Sequence, residues 1–209
     1  MYNVKRVVAL VLAIVALGTS ARDTQAGMIG FPLPLRGVIE KIRFSEPTLA
    51  PMAYTMFCMR YSDECKQKPH ARMVFRGGAM RLTKQRIADL IEVNASVNRQ
   101  ITPQRNERGL AGEEWLINPA RGDCNDYAVS KRHELLARGW PMRNLLLSEV
   151  VTSWGEHHLV LVVRANGGDI VLDNLNAQIR NWSQAHYRWV RMQTPANPDH
   201  WAAVAQLGA

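Results

Sequence analysis

Four runs of strand character follow one another in the second half of the chain, and they restrict its fold more than any other feature. "NLLLSEVV" (144–151), "HHLVLVV" (157–163), "DIVLDNL" (169–175) and "YRWVRMQ" (187–193) are short, rich in β-branched, leucine or aromatic residues, and joined by polar links. The link "RANGGD" contains Asn166-Gly167, a pair that readily takes the positive-φ geometry of a tight hairpin. The second and third runs are therefore expected to be adjacent and antiparallel. Two helical patterns precede them. From Thr83, a candidate cap, Ile87, Leu90, Ile91, Asn94 and Val97 recur at three- and four-residue spacing. A second helix is expected from Asp123 or Cys124 to Arg138, with Ala128, Leu135 and Leu136 on one face and Gly139 before "WP" as its stop. Helices followed by an antiparallel sheet make an α+β domain.

The first 26 residues set an expected compartment. Lys5 and Arg6 precede an uninterrupted apolar run from Val7 to Gly18, and small residues follow, ending at Ala21 or Ala26. The run falls short of the roughly 20 apolar residues of a transmembrane helix. A signal peptide (1–26), a mature domain (27–209) and a periplasmic location are the expectation. Residues 27–56, rich in Pro and Gly, are expected to wrap the surface as an extended arm. The whole chain carries a formal charge of +8, and the leader holds Lys5, Arg6, Arg22 and Asp23. The remaining basic residues are scattered and match no nucleic-acid module, so nucleic acid is excluded as a partner and the charge reads as solubility.

Three cysteines are an odd number for an oxidising compartment. Cys58 and Cys65, in "FCMRYSDEC", are close enough to close a small disulfide loop, which leaves Cys124 as a free thiol. Its context is unusual. In "RGDCNDYA" (121–128) Asp123 and Asp126 flank it, and negative charge opposes thiolate formation. The first turn of a helix acts the other way, through its backbone amides and the macrodipole.

Strand alternation puts His158, Val160 and Val162 on one face of their strand and turns His157 to the other. In the next strand it groups Val171, Asp173 and Leu175. Across a short hairpin, a histidine at the start of one strand can lie beside an acid at the end of the next. Cys124, His158 and Asp173 then have the form of a nucleophile, a base and an orienting carboxylate. Taken singly, a strand-edge histidine and an Asp before Asn are ordinary rim and turn residues.

These motifs, in this order, resemble the bacterial transglutaminase-like cysteine proteinases of LapG type: "GDCNDYA", then "HHLVLVV", then "IVLDNL", with "VNASVN", "EEW" and "FC" upstream. The resemblance implies a transglutaminase/papain-like α+β fold and a Cys124, His158, Asp173 triad cleaving a peptide bond. It implies a protein substrate such as a surface adhesin, and a membrane-bound regulator. It also implies calcium, with Asp123 and Asp126 as metal ligands that would balance the charge around the thiol. Two departures bear on calcium. Asn125 stands where many members carry Glu, and "PQRNERGLAG" has Asn106 and Arg108 where such sequences are more acidic. Trp115 is expected to pack near the nucleophile or to help polarise the carbonyl. Beside hydrolysis stand an amide-transferring transglutaminase and an inactive interaction module of the same fold.

Overall fold

The computed structural model describes residues 41–66, 80–107, 109 and 112–205. The expected signal peptide and the arm up to residue 40 lie outside these residues.

The sheet is seven-stranded and antiparallel throughout. In chain order its strands are β1 (Phe44–Thr48), β4 (Leu145–Val151), β5 (His157–Ala165), β6 (Gly168–Leu172), β7 (Arg180–Asn181), β8 (Arg188–Gln193) and β9 (Trp201–Val204). The two-residue β2 (Thr102–Pro103) and β3 (Arg121–Gly122) form a separate parallel pair. The spatial order is β1-β9-β8-β4-β5-β6-β7. All four runs read from the sequence form strands, but the third ends at Leu172, so Asp173 and Leu175 lie just beyond it. Ala165 pairs with Gly168, so Asn166-Gly167 is the two-residue turn between β5 and β6.

Both faces of the sheet are covered. Leu147, Leu159, Leu161, Val163 and Leu172 pack with Leu90, Val93, Val97 and Val129 of the helices. The alternate residues Leu146, Val150, Val160, Val162 and Val171 pack with Trp182, Trp189 and Met192. This explains why these runs are apolar at nearly every position and do not alternate with polar residues.

The helices are α1 (Met52–Arg60), α2 (Ser62–Cys65), α3 (Lys84–Gln100) and α4 (Cys124–Ala137). Thr83 caps α3 by accepting the Arg86 amide. Beyond α4, Gly139 takes φ +80°, and the amides of Gly139 and Trp140 close on Leu136 and Leu135. That is the double bond of a glycine-terminated helix end, as the "GWP" stop implied.

The extended arm is corrected over residues 41–56. Part of that stretch is the edge strand β1, paired with β9, and Pro51 opens α1, whose Tyr54 and Phe57 are buried. Cys58 and Cys65 form a disulfide that ties α1 to α2, with Cα atoms 5.6 Å apart. Next to it, Glu64 receives the buried Arg132 guanidinium and His133 of α4. The disulfide hairpin is thereby anchored to the helix that carries Cys124.

Candidate active site

The N-terminus of α4 is built by its own acids. Asp123 is the N-cap: its carboxylate accepts the Asn125 amide at 2.9 Å. Asp126 answers with Oδ2 on the Asp123 amide at 3.0 Å, and its Oδ1 accepts the Leu116 amide at 2.7 Å. Gly122 has to be glycine here, because a Cβ would stand 2.2 Å from the Asp126 carboxylate. Cys124 is thus the first helical residue, half-buried and outside any disulfide.

The sulfur is close to β5. The backbone N–H of Leu159 donates toward it, and the Cys124 amide lies beside it. Burial pushes the thiol up to about 12, with Asp123 and Glu113 adding to the rise and the Leu159 amide opposing it. The sequence reading of an electrostatically opposed thiol therefore holds in the folded chain, and Glu113 joins the two acids named from the sequence.

His158 and Asp173 meet. His158 Nε2 lies 2.8 Å from Asp173 Oδ1, with the two side chains 5% and 3% exposed. This bond commits Nε2 and leaves Nδ1 as the ring's other site for a proton. Burial acts to raise the Asp173 carboxyl, but bonds from His158, Tyr187 and the Leu175 amide outweigh it and hold it down at about 2. His157 turns away, with its side chain 69% exposed and Nδ1 on Glu149. The Asp123 carboxylate is close enough to His158 to be lowered by it, so the helix cap and the histidine share one site.

The sequence did not reveal the groups that fix Asp173. Tyr187 donates its hydroxyl to Asp173 Oδ2 and tilts its ring against His158 at 5.7 Å. Asn94 accepts the Asp173 amide, and Asn98 donates to the Asp173 carbonyl. Trp115 is a packing residue: it is buried against Tyr54 and Phe57, and its ring N–H is held by Glu113 at 2.8 Å.

A model of the bacterial transglutaminase-like cysteine proteinases matches residues 44–208, a span that takes in every site residue above. The chain belongs to this family of cysteine proteinases. The fold seen here, with a cysteine opening a helix beside an antiparallel sheet, is transglutaminase-like. Among solved structures, the chain is similar to LapG of Legionella pneumophila at 23% identity and a TM-score of 0.44, over 50% of this chain and 62% of that one. The EGTA-treated form of the same protein matches with 23% identity and a TM-score of 0.44 over 50% and 61%. Its calcium-bound form matches at 22% identity with a TM-score of 0.48, over 58% of this chain and 72% of that one. The chain spans about three fifths of the length of the first two. No curated protein matches it in sequence.

Whether the acids suit a cation can be judged from their chemistry. Burial raises Asp123 and Asp126, and the mutual repulsion of Asp123, Asp126 and Glu113 adds to the rise at Asp126, to about 6. Hard oxygens crowded in this way fit a divalent cation. Among the described residues no three acidic, histidine or cysteine side chains already surround a common point. Asp126 is buried and gives both oxygens to backbone amides, which leaves Asp123 and Glu113 as the more available donors.

Proposed function

We propose that this family member is a periplasmic cysteine endopeptidase that hydrolyses a protein substrate through an acyl-enzyme on Cys124. The observation that carries the reading is the buried His158–Asp173 pair beside a free cysteine whose sulfur meets the Leu159 amide of the same strand.

With Nε2 held by Asp173, Nδ1 of His158 takes the thiol proton as sulfur attacks the scissile carbonyl carbon. Because burial and two carboxylates keep the resting thiol protonated, proton transfer and attack belong to one step. The Cys124 amide donates to the oxyanion. Collapse breaks the C–N bond, and the imidazolium passes its proton to the leaving amine. Water, deprotonated by His158, then attacks the thioester, releasing the new carboxylate and restoring the thiol. Asp173 stays ionised and holds the ring in the tautomer each step needs.

Replacing Cys124 by Ala is expected to abolish cleavage. Loss of His158 is expected to lower kcat at least 10²-fold, within the usual range for a general base, while loss of His157 changes it little. Equal losses at the two histidines would sink the assignment. The substrate in this reading is a surface or adhesin-like protein, and a membrane-bound regulator controls access to it. Comparing the secreted and surface proteins of cells that carry the wild-type enzyme with those of cells that carry the Cys124→Ala variant tests the first point. Fragments support hydrolysis, whereas crosslinked or amine-tagged products would support amide transfer instead.

Calcium enters this reading as a modulator held by Asp123 and Glu113, whose charge it would offset beside the thiol. With so few carboxylates, the expected Kd is about millimolar, at the weak end of protein calcium sites. Alkylation of Cys124 by iodoacetamide is expected to run faster in millimolar calcium than in EGTA, and Asp123→Asn should remove the difference. Equal rates in wild type would remove calcium from the account.

A further inference from the structure

Exposed large apolar side chains are few among the described residues, and they form two groups apart from Ile91. Leu49, Met52, Met56 and Met59 lie on and before α1. Trp154 and Leu175, 60% and 48% exposed, lie elsewhere. The second pair brackets the site. In the β4–β5 ladder Val151 pairs with His157 and Val150 with His158, which makes Trp154 the midpoint of the turn leading into the catalytic strand. Leu161 pairs with Leu172, where β6 ends, and Leu175 follows in the bend at the end of the sheet that also holds His158. Leu175 is also tied to the site directly, because its amide donates to Asp173 Oδ1 at 3.0 Å.

Trp154 is held in place although it faces solvent. Its ring N–H donates to Glu156 Oε2 at 2.9 Å, and Glu156 in turn pairs with Arg105. Gly155, at φ +88°, permits the turn that brings Trp154 and Glu156 together. The Glu156 carboxylate is also close enough to His158 to be lowered by it. A fixed, exposed indole costs apolar hydration in the free protein, and ordering it beforehand lowers the entropy lost when something covers it. The site is not suited to an acidic guest next to the sulfur, on which Asp123 and Glu113 already act, whereas Glu156 at the turn is offset by Arg105.

We infer that Trp154, with Leu175, forms an apolar subsite that receives an uncharged apolar side chain of the substrate peptide next to the scissile bond, and disfavours an acidic one. This rests on the peptidase reading above. Trp154 acts on binding and selectivity and takes no part in bond breaking.

The test uses the full chain and three reagents: peptidyl chloromethyl ketones with Leu or with Asp next to the warhead, and iodoacetamide. The second-order rate of Cys124 alkylation is followed by intact mass, and each peptidyl rate is divided by the iodoacetamide rate of the same variant. In wild type the leucyl reagent is expected to exceed the aspartyl one by about tenfold or more, the scale on which apolar pockets discriminate. Trp154→Ala should bring that ratio towards one, and Trp154→Phe should keep most of it. A preference that survives Trp154→Ala, or one that wild type lacks, overturns the subsite while leaving the peptidase reading intact. Alkylation of Cys124 by both peptidyl reagents that is no faster in wild type than in a His158→Ala variant overturns both.

Discussion

Asp173 shows how much a single buried carboxylate depends on what surrounds it. Its oxygens receive His158, Tyr187, the Leu175 amide and Asn176, and these bonds hold it at about 2 against the effect of burial. A carboxyl lowered on folding contributes stability that is complete above its unfolded value of about 4 and is lost as pH falls toward 2. Tyr187→Phe removes one donor, so the carboxyl should rise and the acid unfolding midpoint, followed by circular dichroism, should move to higher pH. The expected loss at pH 7 is about 1.5 to 3 kcal/mol, typical of a hydrogen bond to a charged group. An unchanged midpoint would mean that Tyr187 only fills space. The sequence made His158 and Asp173 readable because a period of two puts them on the same face at one end of a hairpin. Tyr187 was not readable, since it opens the fourth strand run and nothing local shows that its hydroxyl reaches Asp173. Asn94 did leave a signal: it is the one polar residue among the apolar positions that defined α3, and it is buried because it holds the Asp173 backbone.

At the scale of elements, α4 carries the most constraint. Its expected span, Asp123 or Cys124 to Arg138, agrees with the observed Cys124–Ala137, because cap and stop are both local chemistry. β1, β7, β9 and α1 were not legible for the opposite reason. β1 is mostly polar and contains Pro47, β7 has two residues, and β9 becomes a strand by pairing with both β1 and β8. Their conformation is decided by partners distant in the chain. The capping box gives this element a direct test. Gly122→Ala puts a methyl group against the Asp126 carboxylate and forces the box open, at an expected cost of about 1 to 3 kcal/mol. A lower Tm together with slower thiol alkylation is the expected pair of results. Breaking the tie between α2 and α4 with Glu64→Ala would strand the buried Arg132 charge, with an expected loss of about 3 to 5 kcal/mol in urea unfolding.

The stability of the whole molecule against pH follows from two buried groups on that same helix, pushed toward neutrality from opposite sides. Burial, with Asp123 and Glu113, raises Asp126 to about 6, and burial lowers Lys131 to about 7 with Asp173 opposing the fall. Between its unfolded value and 6, Asp126 holds a proton in the folded chain that the unfolded chain has released, so stability falls as pH rises through this interval. Above 7 the order reverses. Folded Lys131 has lost its proton while an unfolded lysine keeps one to about 10, and stability rises with pH. Asp173 stays ionised across the whole interval and adds a constant. The two slopes together place a shallow minimum near neutral pH. Thermal unfolding of the Cys124→Ala protein, which avoids both self-cleavage and thiol titration, should give a lower Tm at pH 7 than at pH 5 or 9. Adding Lys131→Met removes the buried amine, and it should raise the Tm at pH 7 and flatten the alkaline slope while leaving the acid slope in place. A Tm that peaks at pH 7 in the first protein, or an alkaline slope that persists in the second, would show that α4 does not set the response.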